Sequence, residues 1–123
     1  MTDKILLVDD DTRTLKNIAQ FLRDEGYEVD EAQNGNEAAQ RLNSGGFDLV
    51  LSDLIMPDGN GLYLLKRTRS DAPSIRVLIM SAFPNIDPAE LVELGATDFI
   101  GKPLVFEELL LKVKRALEQR GED

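Results

Sequence analysis

Residues 49–59 read LVLSDLIMPDG, an apolar run that ends in a carboxylate and then in a turn with Pro and Gly. Leu49, Val50 and Leu51 are apolar on both alternating faces, which is typical of a parallel strand covered by helices on either side. Asp53 then lies where the strand leaves the core, and open α/β sheets bind ligands outside the carboxyl ends of their strands. Asp53 is therefore a candidate functional residue, the alternative being that it caps the following turn.

Amphipathic segments alternate with strand-like segments along the rest of the chain. Besides the run that begins at Leu49, the predicted strands are residues 5–8, 27–32, 75–80 and 97–100. Apolar residues at helical spacing predict a helix after each strand, and the fourth helix has Asp87 as its N-cap and Pro88 in its first turn. This alternation indicates a parallel sheet with helices on both faces.

The polarity of the second predicted strand indicates the strand order. Glu28, Asp30 and Glu31 surround Val29, so this strand is polar enough to lie at an edge of the sheet. The other strands are more apolar, which favours the flavodoxin-like (βα)5 fold, a five-stranded parallel sheet in order 2-1-3-4-5. Neither a Gly-x-Gly-x-x-Gly motif nor a P-loop follows the first strand, and nucleotide binding therefore has little support.

Length and composition restrict the class of protein. The 123 residues suit one domain, residues 1–123, with a core that needs no disulfide or structural metal. There is no Cys, no signal-peptide pattern and no apolar run long enough to cross a bilayer, so we expect a cytoplasmic protein with no membrane association. The net charge of −9 predicts no direct nucleic-acid binding by this domain. The absence of His excludes a His-based triad, metal site or general base within the chain.

The predicted strand order brings five polar side chains to one edge of the sheet. They are Asp9, Asp10, Asp53, Ser81 and Lys102. Two carboxylates about 4 Å apart repel each other by roughly 4 kcal/mol at an effective dielectric constant of about 20, so three of them need protons or a cation. Carboxylate oxygens, a backbone carbonyl and water suit Mg²⁺ or Mn²⁺, whereas zinc favours the His and Cys that this chain lacks.

This set of residues suits phosphoryl transfer onto Asp53, because Asp is a known nucleophile in the formation of aspartyl phosphates. The metal ion and Lys102 would stabilise charge on the phosphoryl oxygens, and Ser81 would donate a hydrogen bond to one of them. The alternatives are that Lys102 forms an ordinary surface salt bridge and that Ser81 caps a turn.

The motifs, in this order, resemble those of the receiver domain of bacterial two-component response regulators, over essentially the whole chain. The matching positions are Asp9-Asp10, Asp53 with Met56-Pro57-Asp58-Gly59, Ser81-Ala82 and Lys102-Pro103. The resemblance implies that Asp53 receives a phosphoryl group from the histidine of a sensor kinase or phosphotransfer protein. It also implies that Asp10, Asp53 and the backbone carbonyl of Ile55 bind Mg²⁺ (or Mn²⁺) directly, with Asp9 helping through a water molecule.

The same resemblance implies a phosphorylation switch. Lys102 would contact the phosphoryl group, and the Lys102-Pro103 peptide bond would be cis. On phosphorylation the Ser81 hydroxyl would turn toward the phosphate and Phe99 would swing inward, altering the surface of the fourth helix, the last strand and the last helix. The alternative for Phe99 is a plain role as a core aromatic.

Two positions would flank the phosphorylation site with apolar bulk. They are Ile55 and Phe83, at places where many relatives have polar groups. Because apolar bulk hinders an attacking water molecule, we predict slow self-dephosphorylation of this domain.

Charges on two helices predict a dimer. Leu111 lies off the apolar stripe of the last helix. Basic residues surround it and acidic residues lie on the fourth helix, namely Lys112, Lys114 and Arg115 against Asp87, Glu90 and Glu93. This pattern predicts a charge-complementary, symmetric homodimer after phosphorylation.

Two other functions are compatible with parts of the pattern. A haloacid-dehalogenase-like phosphatase also uses Asp and Mg²⁺, but its motif has a second Asp where this chain has Ile55. A phosphorylation-independent receiver-like adaptor typically lacks an acidic or lysine position, and none is missing here. The last helix can continue into a linker, so the chain fits a fragment of a longer regulator, a piece of a hybrid kinase or a protein that stands alone.

Overall fold

Helices cover both faces of the sheet, which explains why its central strands are apolar at consecutive positions. A computed structural model describes residues 2–56, 61–82 and 87–119. Strands and helices alternate along these ranges. The elements are β1 (Lys4–Val8), α1 (Thr12–Asp24), β2 (Glu28–Ala32), α2 (Gly35–Ser44), β3 (Leu49–Asp53), α3 (Gly61–Asp71), β4 (Arg76–Ser81), α4 (Pro88–Glu93), β5 (Asp98–Gly101) and α5 (Phe106–Gln119).

The strands form one parallel sheet in the order β2-β1-β3-β4-β5. The flavodoxin-like (βα)5 architecture and the edge position of β2 are therefore confirmed. In the sheet, Val8 of β1 lies opposite Ser52 of β3, and Ser81 of β4 lies opposite Gly101 of β5. The residues that follow Val8 and Gly101 thus emerge beside the carboxyl ends of β3 and β4.

Alternate residues of the central strands belong to two separate layers of core. In β1, Ile5 and Leu7 pack with the apolar faces of α1 and α5, whereas Leu6 and Val8 pack with those of α2, α3 and α4. All four side chains are fully buried. Burial of a Leu or Ile side chain contributes roughly 2 kcal/mol, so each central strand stabilises both layers and its carboxyl end is held firmly.

Side chains bind the backbone of the outer strand β5. The Phe99 N–H donates to the Asp98 carboxylate, and the Phe99 carbonyl accepts a hydrogen bond from Lys112 Nζ on α5. Lys112 also forms ion pairs with Asp98 and Glu108. These contacts tie α5 to the strand that carries Phe99.

The limits of the strands agree closely with the sequence prediction: the four strands predicted with both limits have limits within one residue of the observed ones, and β3 begins at Leu49 as predicted. Two features named in the sequence lie outside the described ranges, namely Phe83 and the turn at 57–60. Within the described ranges, no helix combines the length and apolar composition that crossing a membrane requires.

Candidate functional site

Three carboxylates from two neighbouring strands meet at the carboxyl edge of the sheet. Asp9 and Asp10 directly follow β1, and Asp53 is the last residue of β3. One carboxylate oxygen from each lies within 4.8 Å of the other two. Asp9 is completely buried, Asp53 is partly buried and Asp10 is exposed. The structure therefore brings together these three predicted residues, hereafter the acidic cluster.

Lys102 brings a positive charge to the acidic cluster from the end of β5. Its Nζ lies 2.8 Å from the Asp9 carboxylate and 3.4 Å from that of Asp53. Its backbone N–H donates to the Ser81 carbonyl at 2.9 Å, and its peptide bond to Pro103 is cis. Because Asp9 is fully buried, this pair differs from an ordinary surface salt bridge. One ammonium faces three carboxylates, and the site keeps an excess of negative charge.

The burial and charges of the site shift two pKa values. Burial raises the pKa of Asp53, and the charges of Asp9 and Asp10 add to this effect while Lys102 opposes it. Burial alone would lower the pKa of Lys102, but its hydrogen bonds and attraction to Asp9 and Asp53 outweigh burial and raise that pKa. Lys102 is thus a stable cation, and ionised Asp53 is favoured by any further positive charge.

The acidic cluster has the donor set that a hard divalent cation requires. Its side-chain ligands are all carboxylate oxygens, which Mg²⁺ and Mn²⁺ prefer. The Asp9 carboxylate also accepts the Asp11 N–H at 2.9 Å, so that Asp9 is oriented by the first turn that follows β1. The residues therefore fit Mg²⁺, in agreement with the sequence prediction of an acidic metal pocket.

The other predicted residues lie at or near this edge of the sheet. Ser81 is the buried last residue of β4, the strand next to β3. Ile55 follows Asp53 by two positions and is 49% exposed. Phe99 is partly buried in β5 and packs against the core layer of α2, α3 and α4. Phe83 lies outside the described residues.

Two residues that support Asp53 were not singled out from the sequence. The Oγ of Ser52 donates to the Asp53 carbonyl at 2.9 Å, although Ser52 is completely buried. The Gly61 N–H, at the start of α3, donates to the carbonyl of Leu54, the residue after β3, at 2.7 Å. Ser52 could have been noticed because it is a polar residue in an otherwise apolar strand. Gly61 could not, because it follows Gly59 and Asn60 and looks like an ordinary turn glycine.

A groove runs between α1 and the start of α5 beside the acidic cluster. It consists of two hollows of about 250 Å³ and about 330 Å³ that share Asn17 and Phe106. The Phe106 ring stacks on Phe21 with a centroid separation of 4.6 Å. Lys102 lines the first hollow, so this α1–α5 groove reaches the site.

The fold and the site together define a doubly wound α/β domain with an acidic, lysine-containing pocket at the carboxyl edge of its sheet. A family model described as the response regulator receiver domain matches residues 5–114. The chain belongs to this family, the receiver domains of two-component systems, as its motifs predicted. The matches support neither the phosphatase nor the adaptor alternative.

Relatives and solved structures agree with the family. The chain is 41% identical over 114 residues to the transcriptional regulatory protein ZraR of Klebsiella oxytoca, a match covering 92% of this chain and 26% of that protein. A CheY-like receiver domain from Methanospirillum hungatei JF-1 has a TM-score of 0.91 at 31% identity, with 97% and 96% of the two chains covered. TrrA of Thermotoga maritima, solved in complex with Mg(2+)-BeF, has a TM-score of 0.86 at 32% identity, with 94% and 99% covered. The chain spans 26% and 52% of the first two curated relatives.

Proposed function

We propose that Asp53 accepts a phosphoryl group from the phosphohistidine of a sensor kinase or phosphotransfer protein. The supporting observation is the surroundings of Asp53, which lies within 4.8 Å of the Asp9 and Asp10 oxygens and 3.4 Å from Lys102 Nζ. An Asp53 oxygen forms the new P–O bond as the donor's N–P bond breaks and the histidine nitrogen leaves with the electron pair. Residues 1–123 contain no His, so the donor histidine lies outside this domain. The reaction chemistry of the domain is limited to its own phosphorylation and dephosphorylation.

In this proposal Mg²⁺ is held by Asp10, Asp53 and the Ile55 carbonyl, with Asp9 acting through water. The carboxylate composition of the acidic cluster supports this assignment, and so does the Mg(2+)-BeF complex of TrrA, a relative of the same fold. When bound, the ion supplies positive charge that stabilises the phosphoryl oxygens. Incubation with a small acyl phosphate, with and without Mg²⁺, tests the proposal by intact-protein mass spectrometry. A wild-type chain that gains no phosphoryl mass with Mg²⁺ would overturn it.

Lys102 and Ser81 bind the transferred group in this mechanism. The Lys102 ammonium, already 3.4 Å from Asp53, exchanges part of its contact with Asp9 for a phosphoryl oxygen. Ser81, at the end of the neighbouring strand, donates its hydroxyl to a second oxygen. Both groups are placed by rigid strand ends, which lowers the cost of organising the site for reaction.

The α1–α5 groove is the proposed docking site for the phosphoryl donor. It adjoins the acidic cluster through Lys102, and its rim includes the exposed side chain of Phe106. Val105, at the same end of α5, is also exposed. A helix of the donor that binds here brings its histidine to the carboxyl edge of the sheet with little change in either partner.

Phosphorylation would be transmitted through Ser81 and Phe99 to the surface formed by α4, β5 and α5. Phe99 lies between the two helices, with its side chain in the core layer of α4 and its carbonyl bound to Lys112 of α5. A movement of Phe99 therefore reaches both helices at once. The added phosphate charge is the event that biases this element between two positions.

The exposed residues of this surface form the proposed interface of a homodimer. Leu111 on α5 is 49% exposed, and the neighbouring Lys114 and Arg115 are exposed as well. Val92 and Leu94 add exposed apolar area at α4. Lys112 contributes less to a partner than its sequence position indicated, because it is engaged within the chain by Asp98, Glu108 and the Phe99 carbonyl.

With beryllofluoride and Mg²⁺ bound, the wild type is expected to sediment as a dimer. Leu111→Glu is expected to weaken that dimer by roughly tenfold or more, because it places a charge in the centre of the apolar contact. Tyr63→Glu, an equally exposed position on α3, serves as the control and should leave the dimer unchanged. Analytical ultracentrifugation makes the measurement, and a wild type that remains monomeric with the mimic would refute the dimer.

Ile55 is expected to prolong the life of the phosphorylated state. Its exposed apolar side chain, two residues after Asp53, restricts the approach of water to the acyl phosphate. Ile55→Asn should shorten the lifetime several-fold, whereas Ile55→Leu keeps the apolar bulk and should not change it. Loss of phosphorylated protein over time, followed by mass spectrometry without a phosphatase, makes the comparison. A wild-type lifetime of only seconds contradicts the prediction.

Residues 1–123 act as a receiver domain in this proposal, and any DNA binding falls to another part of a longer regulator. The relatives named above support this, since the matched transcriptional regulators are longer than the matched segment. The net charge of −9 also disfavours contact of this domain with phosphate backbones.

A further inference from the structure

We propose that Gly61 is a positioning residue for the metal site, because its lack of a side chain allows the backbone of Asp53 to lie where the acidic cluster needs it. This inference rests on the Mg²⁺ site proposed above. It adds a requirement at a residue that binds no metal itself, Gly61 at the start of α3.

The contact between Gly61 and β3 leaves no space for a methyl group. A Cβ at Gly61 would lie 2.3 Å from the Asp53 carbonyl oxygen and 2.9 Å from the Leu54 Cα. Both atoms belong to the backbone, so that no side-chain rotation can relieve the overlap. Either β3 or the start of α3 would have to move.

The peptide groups that would have to move are held from several sides. The Leu54 N–H donates to the Met80 carbonyl of β4 at 2.8 Å, and the Leu54 carbonyl accepts the Gly61 N–H at 2.7 Å. The Asp53 carbonyl accepts the buried Ser52 hydroxyl at 2.9 Å. The Asp53 backbone is thus fixed by its own strand, by the next strand and by Gly61.

A displacement of the Asp53 backbone would change the distances within the acidic cluster, because Asp9 and Asp10 would not move with it. Asp9 is held independently, by the Asp11 N–H and by Lys102. Asp9 and Asp10 follow β1, whereas Asp53 and the Ile55 carbonyl belong to the segment that contacts Gly61. A shift of that segment therefore separates the two halves of the metal site.

For the substitution Gly61→Ala, helix propensity and the backbone overlap predict opposite changes in stability. Ala is a better helix former than Gly, so that a Gly61 with only a local role in α3 would give a more stable protein when replaced by Ala. The backbone overlap predicts instead both lower stability and weaker metal binding.

Gly61→Ala is expected to weaken Mg²⁺ binding by roughly tenfold, the scale found for residues that orient metal ligands. Gly101→Ala is the matched control, because Gly101 also lies at the carboxyl edge of the sheet but a Cβ there meets nothing within 4 Å. Isothermal titration with MgCl₂ on the unphosphorylated full chain, at a temperature where circular dichroism reports folded protein, measures both. A merely structural role would lower the melting temperature but leave the Mg²⁺ affinity of the folded protein unchanged.

The outcomes separate this inference from the proposed function. A wild type that binds no Mg²⁺ overturns the metal site itself, whereas wild-type affinity in folded Gly61→Ala overturns only the role of Gly61. If Gly61→Ala does not fold, Ser52→Ala decides, since it frees the same Asp53 carbonyl from its other restraint without adding atoms. Weaker Mg²⁺ binding in Ser52→Ala supports positioning of the Asp53 backbone, and unchanged binding contradicts it.

Discussion

Asp53→Asn is expected to gain no mass on incubation with a small acyl phosphate and Mg²⁺, whereas the wild type gains the mass of one phosphoryl group. The amide has nearly the shape of the carboxylate, so the side chain still fits beside Asp9 and Lys102. It lacks the ionised oxygen that attacks phosphorus, and it is a poorer metal ligand. Intact-protein mass spectrometry at several times of incubation measures the difference.

Asp11→Asn is the matched control for this loss. It removes the same charge close to the site, at the exposed N-cap of α1, where the Asp11 carboxylate accepts the Arg13 and Thr14 N–H groups. Asn is an equally good N-cap, so that helix and fold are retained. Asp11→Asn should be phosphorylated like the wild type. A mass gain in Asp53→Asn equal to that of the wild type rejects Asp53 as the acceptor.

Unfolding cannot account for the expected loss, because Asp53→Asn should be at least as stable as the wild type in metal-free buffer at pH 7. Burial raises the pKa of Asp53 above its ordinary value of 3.8, so the folded state binds this proton more tightly than the unfolded state. The stability from this group is therefore fully present below pH 3.8, falls as the pH rises through the folded pKa and stays reduced above it. Asn is uncharged at every pH and avoids this loss, which thermal melting would detect.

Lys102→Met is expected to lower the free energy of unfolding by about 3 kcal/mol in metal-free buffer, since it leaves a buried charge without its partner. The Asp9 carboxylate is 0% exposed and accepts a hydrogen bond from Lys102 Nζ at 2.8 Å. In a domain of this size, the melting temperature should fall by on the order of 10 °C. The same variant should bind Mg²⁺ more tightly than the wild type, because the ammonium no longer competes for Asp9.

Lys16→Met controls for the loss of a lysine as such. Lys16 forms its ion pair with Glu31 at 3.4 Å and is 69% exposed, so its removal should change stability by less than about 1 kcal/mol. The double variant Asp9→Asn/Lys102→Met should recover part of the lost stability, since the buried charge is then gone. Wild-type stability in Lys102→Met, or weaker Mg²⁺ binding, would show that the ammonium does not neutralise the cluster.

The sequence was sufficient for the topology because hydrophobic pattern reports burial directly. The runs at 5–8 and 49–51 are apolar on both faces and lie inside the sheet, whereas the acid-rich second strand lies at one edge, as predicted. The last two strands begin and end one residue later than predicted. The ends of these strands depend on which residues pair across the sheet, such as Ser81 with Gly101. The hydrophobic pattern of one strand does not show which residues of the next strand it pairs with.

The residues of the acidic cluster and Lys102 were predictable from the sequence, but the residues that hold them in position were not. Asp9, Asp10, Asp53 and Lys102 could be assembled because each follows a predicted strand, and strand order fixes which ends are neighbours. Gly61 packs against the backbone of Asp53 and Leu54, and the residue type alone does not reveal this contact. Lys112 is the reverse case, since its position on an outer helix favoured an intermolecular role, whereas the structure uses it to bind Phe99 and Asp98.

The hydrogen bonds of Asp98 and Lys112 to the Phe99 peptide have a consequence for association of the domain. An outer strand with free amide and carbonyl groups can recruit a strand of another molecule and start aggregation. At β5 the amide and carbonyl groups of Phe99 already have partners within the domain, and β2 at the other edge carries the acidic residues Glu28, Asp30 and Glu31. A strand of a second copy would have to displace Asp98 and Lys112 from the Phe99 peptide before it could pair there, which disfavours extension of the sheet across β5.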